Sequence, residues 1–130
     1  MYHWKGYNYG SLRGTQYFFP DRGDGLPMHY HMVEDAHNVI VLKGSCEIYG
    51  PEKSWSYTAT QGAIFHFQEQ EYPHEIAALE AGTVLLNLTK YGDKFVHLKN
   101  WAEHDQGGVI EDPITIPLDS YKSQNKKRKS

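Results

Sequence analysis

His29-Tyr30-His31-Met32-Val33-Glu34-Asp35-Ala36-His37-Asn38-Val39-Ile40-Val41-Leu42-Lys43-Gly44 sets three histidines at steps of two and six residues and runs straight into an apolar strand pattern. Side chains two apart on a strand point the same way, so a strand over 28–32 puts His29 and His31 on one face and Tyr30 on the other. His37 then opens a near-continuous apolar strand that Gly44 closes. A fourth histidine, His74, opens another strand-like run, His74-Glu75-Ile76-Ala77-Ala78-Leu79. Four imidazoles at strand entrances form a candidate transition-metal site, because strands that close into a barrel bring their entrances to a common mouth.

Around this stretch the chain repeats short apolar runs separated by glycine, proline and acidic turns at intervals of about 8–12 residues, the rhythm of an all-β sandwich or barrel. Thr15-Gln16-Tyr17-Phe18-Phe19 is stopped by Pro20-Asp21-Arg22-Gly23-Asp24-Gly25. Ser45–Tyr49, Trp55–Thr60, Ala63–Phe67 and Thr83–Leu88 follow as strands. Residues 1–14 are rich in glycine and tyrosine without an apolar period, and are expected to form an arm or edge strand. Beyond Tyr91 the pattern weakens. Phe95–Leu98 is expected as a last strand, Trp101–His104 as a short helical or irregular piece, and Ile114-Thr115-Ile116 as an edge strand bounded by prolines.

At 130 residues the chain has the length of one domain, above the zone of about 70 residues where a core is marginal. Residues 1–118 are expected to form it, with the barrel core at about 15–90. Net charge is −3, but Lys122, Lys126, Lys127, Arg128 and Lys129 crowd residues 119–130, leaving −7 on residues 1–118. An acidic body excludes nucleic acid as the main partner, since phosphate binding wants a basic face. The basic segment reads as a solvated, disordered tail capable of weak nucleic-acid contact at most. Cys46 is the single cysteine, which rules out an intramolecular disulfide and a thiolate-rich zinc cluster. With no secretory pattern at Met1–Gly6 and no apolar run near the ~20 residues that span a bilayer, a soluble cytoplasmic protein without membrane contact is expected.

The histidine spacing resembles the first motif of the cupin superfamily, in which glycine, five residues, His, one residue and His lead to a third ligand, which six further residues separate from a glycine. Gly23, His29, His31, His37 and Gly44 take those places. The loop before the third ligand is longer here, and histidine stands where most cupins have glutamate, as in small bacterial cupins with a four-histidine site. Of the second motif only Gly62 and His74 remain; Glu69 and Glu71 replace its proline and glycine, and Ala78 stands at its asparagine.

This resemblance implies a cupin-type β-barrel (a double-stranded β-helix, or jelly roll) with His29, His31, His37 and His74 on one divalent metal. Imidazole suits several metals; availability and an octahedral preference favour Fe(II) or Mn(II), with Zn(II) and Ni(II) compatible. Four neutral ligands leave the ionic charge uncompensated and favour an anionic small-molecule substrate. The implied activity is a small-molecule dioxygenase or oxidase. The alternatives are a non-redox lyase, isomerase or cyclase, and a non-catalytic cupin that binds a sugar or metabolite. Tyr17, Glu34 and Glu71 are the candidate proton-transfer groups. Arg13 and Tyr17 are candidates for a polar substrate end, and Val39, Val41, Ile76, Val84 and Leu86 for an apolar wall on one strand parity. His66 reads as structural, and His3, His97 and His104 as surface residues. The aromatic N-terminal residues Tyr2, Trp4, Tyr7 and Tyr9 expose more apolar surface than a free arm should, which predicts a homodimer.

Overall fold

The computed structural model describes residues 1–31, 37–67, 73–90, 95–114 and 116–120. Eleven strands form among them: β1 Tyr2–Tyr9, β2 Leu12–Phe19, β3 Gly25–His31, β4 His37–Lys43, β5 Ser45–Tyr49, β6 Ser56–Thr60, β7 Ile64–Phe67, β8 His74–Ala78, β9 Thr83–Lys90, β10 Phe95–His97 and β11 Asp105–Glu111. They make a six-stranded sheet, β11-β1-β2-β9-β4-β7, and a five-stranded sheet, β10-β3-β8-β5-β6. The chain is all-β, with a core shared by the two sheets, the layout of a jelly roll.

The turns that build this layout are set by glycine. Gly10-Ser11 joins β1 to β2 as a two-residue hairpin with Tyr9 opposite Leu12 and Gly10 at φ 62°, a conformation that favours glycine. Gly44 alone carries the chain from the large sheet to the small one. It sits at φ 80°, and a Cβ there would come 2.5 Å from Thr83 Oγ1. Thr83 is fully buried and donates to the carbonyls of Ser45 and Glu80, so the crossover has no room to yield.

Alternation decides the core. On β8 the inward residues are His74, Ile76 and Ala78, and on β5 they include Cys46 and Ile48, opposite Ala78 and Ile76. The large sheet supplies Tyr17, Phe19, Val39, Val41 and Leu85. Each fully buried aliphatic or aromatic side chain contributes about 1.5–3 kcal/mol over an exposed one.

Three expectations are corrected. The strand near the C-terminal end is Asp105–Glu111, pairing parallel to β1; Ile114 and Ile116 are not strand residues, and Thr115 lies outside the described residues. The cause is tertiary, since Asp105-Gln106-Gly107-Gly108 has turn composition and becomes strand only through the ladder β1 offers. Tyr2 is 2% exposed and Trp4 packs against the core, so the N-terminal segment is internal structure rather than a projecting arm. On β9 the buried parity is Thr83, Leu85, Asn87 and Thr89. Leu86 and Val84 therefore lie on the opposite face from Val39 and Val41, which pair with Asn87 and Leu85. Of the basic segment 119–130, residues 121–130 lie outside the described residues.

Candidate metal centre

β3 carries two of the histidines inward by means of a defect. Leu26 pairs with Ile76 and His29 with His74, so Pro27 and Met28 together oppose the single residue Glu75. Two residues against one is a β-bulge. Regular alternation from the buried Leu26 would have sent Met28 and Tyr30 inward and both histidines out, because a one-residue slip exchanges the two faces of a strand. With the bulge, His29 and His31 each become 1% exposed, as is His74.

The bulge also fixes the chemistry of His29. Its Nδ1 lies 2.8 Å from the Pro27 carbonyl oxygen; a carbonyl only accepts, so Nδ1 carries the proton and Nε2 presents its lone pair. Metal-bound histidines are oriented by this kind of bond from the second nitrogen. His29 and His74 face each other with ring centroids 4.2 Å apart, and His31 lies 5.4 Å from His29 and 5.8 Å from His74. One ring nitrogen from each falls within 4.8 Å of the others. Three buried, convergent imidazoles are a donor set that, in the neutral form, fits a divalent transition ion.

Aromatic rings enclose the cluster. Phe67, at the end of β7 on the large sheet, stacks on His74 at 4.5 Å and 27°. Trp101, 6% exposed, meets His29 edge-on at 4.8 Å. His97 stacks on Trp101 at 4.3 Å and pairs with His29 across β10 and β3. Exposed as it is, it belongs to the surround of the site more closely than a surface reading implies, and desolvation holds its pKa below the ordinary value. Trp101 was legible only as part of an irregular segment; no period of the sequence announces it.

The remaining candidates separate. His37 pairs through its backbone with Phe67, but its side chain, like Glu34 and Glu71, lies outside the described residues. Tyr17 is 5% exposed and meets Tyr2 edge-on at 5.5 Å. Arg13 donates to Asn8 Oδ1 at 3.0 Å and Thr15 Oγ1 at 3.4 Å. Val39, Val41 and Ile76 are buried, whereas Leu86 is half-buried on the outer face of the large sheet. His66 is exposed and bonded to Asn38. A residue that the sequence did not single out is Asn87. It is 5% exposed on the inward parity of β9, between Thr15 and Val39, and its Oδ1 has no hydrogen-bond partner among the described residues.

No family model and no curated protein matches the chain. Solved structures do. An RmlC-like cupin protein from Desulfovibrio desulfuricans is 24% identical with a TM-score of 0.58, over 68% of this chain and 81% of that one. The polyketide cyclase RemF from Streptomyces resistomycificus is 18% identical (TM-score 0.53), over 72% of this chain and 66% of that one. The DMSP lyase DddQ from Ruegeria pomeroyi is 18% identical (TM-score 0.56), over 71% of this chain and 48% of that one. Likeness at this level shows the fold, that of the cupins, and leaves the chemistry to the site.

Proposed function

We propose that the protein is a metal-dependent cupin enzyme acting on a small anionic substrate, with His29, His31 and His74 as its ligands and His37 as the fourth. The observation that carries this reading is the convergence of three fully buried imidazoles within 4.8 Å of one another, the donor type and spacing that a divalent transition ion takes. A divalent ion held there would supply Lewis acidity and, as iron or manganese, one-electron chemistry toward dioxygen. Neutral ligands leave its charge available to a carboxylate or enolate. Phe67 and Trp101 keep the cluster dry. On this reading Asn87 Oδ1 accepts from a substrate hydroxyl or N–H and Val39 meets its apolar part, a role suggested by their burial on the inward parity of the large sheet.

The first reading of the reaction is oxidation by dioxygen with Fe(II) or Mn(II). A non-redox lyase, isomerase or cyclase is the second reading, supported by the cyclase and lyase among the structural neighbours. Apo protein reconstituted separately with Fe(II), Mn(II), Zn(II) and Ni(II) is assayed against enolisable and hydroxylated carboxylates with and without oxygen. Oxygen uptake matching substrate loss, absent in His31→Ala, is expected. Turnover that continues anaerobically would replace the first reading by the second, and ligand binding without turnover under any condition would remove both.

A homodimer is also proposed, on a different surface from the N-terminal residues. Ile64, Ile40 and Leu86 form one row across β7, β4 and β9 on the outer face of the large sheet. Ile64 is 60% and Leu42 40% exposed, more contiguous apolar surface than a solvated sheet face needs. Light scattering at micromolar concentration should give twice the chain mass, and the chain mass for Ile64→Lys. A monomeric wild type overturns it. Among the described residues no helix is long and apolar enough to cross a membrane. The free, buried Cys46 fits a reducing, cytoplasmic setting.

A further inference from the structure

The bulge that turns His29 and His31 inward bonds, through one of its backbone groups, to a side chain on the far face of the small sheet. Every backbone polar group of Pro27 and Met28 finds a partner off the regular ladder, or is absent. Pro27 has no N–H, and its carbonyl accepts from His29 Nδ1 at 2.8 Å. The Met28 carbonyl accepts from the Leu98 N–H at 3.0 Å. The Met28 N–H donates to Glu75 Oε1 at 3.1 Å. Glu75 is the residue that the bulge opposes, and it is next to His74.

The Glu75 carboxylate is itself fixed. Lys99 Nζ donates to Oε1 at 2.6 Å, and the Tyr49 hydroxyl donates to Oε2. Tyr49 is its direct cross-strand partner on β5, and Lys99 follows β10. One carboxylate thus joins β3, β5, β8 and the segment after β10. It borders an outer cavity of about 160 Å³ shared with Tyr49, Lys99, Pro27 and Gly25, so it can be altered without opening the core.

We infer that Glu75 is a positioning residue for the metal centre: by accepting the Met28 N–H it holds the Pro27–Met28 bulge, and the bulge orients His29 and His31 toward His74. The inference rests on the proposed metal site. Outer partners of ligating histidines typically change metal affinity by about 10–100-fold when removed, and a lost bulge bond is expected to act within that range.

The test uses Co(II) as probe on the full chain, with Glu75→Ala, Glu75→Gln and Tyr49→Phe. Glutamine keeps an acceptor for the Met28 N–H, and Tyr49→Phe keeps the carboxylate. Glu75→Ala is expected to weaken Co(II) binding at least tenfold and to alter its visible absorption, while Glu75→Gln and Tyr49→Phe stay within about threefold of wild type. In the metal-free proteins, amide exchange at Met28 is expected to accelerate in Glu75→Ala only. Unchanged Co(II) affinity and spectrum in Glu75→Ala, or equal losses in Ala and Gln variants, would overturn the inference. The metal reading fails separately, when wild type and His31→Ala bind Co(II) alike; Met28 exchange unchanged in Glu75→Ala would then reject the bulge clamp on its own.

Discussion

Replacing Phe67 by alanine tests how the two sheets meet at the histidine cluster. Phe67 is 8% exposed and stacks on His74 at 4.5 Å, so it is a contact through which the large sheet closes over a buried histidine of the small one. Truncating a buried phenylalanine costs about 3–5 kcal/mol. A position at the end of a strand can relax, which favours the lower figure, about 3 kcal/mol. For a chain of this length that corresponds to a fall in melting temperature of about 10 °C, measured by circular dichroism on metal-free protein. Phe67→Leu retains most of the volume and should cost about 1 kcal/mol. Metal affinity should fall about tenfold in the alanine variant, because His74 loses the ring that orients it. A loss of stability under about 1 kcal/mol, with affinity unchanged, would refute the packing argument.

Gly44→Ala places a Cβ 2.5 Å from Thr83 Oγ1 at a residue with φ 80°; it should cost at least about 2 kcal/mol and lower the urea midpoint accordingly, and a neutral result would mean that the crossover is not constrained. Cys46 is fully buried, and desolvation raises its thiol from 9.0 to about 12. The folded state therefore favours the protonated thiol, a contribution fully present below pH 9 and lost as pH rises toward 12. The urea midpoint should fall above pH 9, less so in Cys46→Ala, and a disulfide reagent at pH 8 should react only after unfolding. Rapid labelling of native protein would show that the thiol is accessible.

Much of this architecture was readable because its signals are local. Gly44 marks the crossover, Pro20-Asp21-Arg22-Gly23 ends β2, and the two-residue spacing of His29 and His31 guarantees a shared face. Which face they share was not local. Leu26 and Met28 form the apolar parity of a regular strand, and that pattern argues for histidines pointing outward. The bulge reverses it, and the only cue in the chain is Pro27, which cannot donate to a ladder.

β9 misleads for a related reason. Its outer residues Val84, Leu86 and Leu88 are more apolar than the inner Thr83, Asn87 and Thr89, so hydrophobicity alone selects the wrong side. The inner side is fixed by pairing across the large sheet, where Leu85 and Asn87 stand opposite the buried Val41 and Val39, and by the hydrogen bonds of Thr83. β11 and the burial of Tyr2 depend on pairing between segments about a hundred residues apart, which no window of sequence contains.

Metal content of the purified protein after reconstitution, read by elemental analysis for wild type, His29→Ala, His31→Ala, His74→Ala and the exposed control His66→Ala, tests the central claim most directly. One divalent ion per chain in wild type and His66→Ala, and little in the other three, is the result predicted; His37→Ala run alongside decides whether the site has three or four histidines. Equal metal content across the series, or less than about a tenth of wild-type chains loaded after reconstitution, would contradict it.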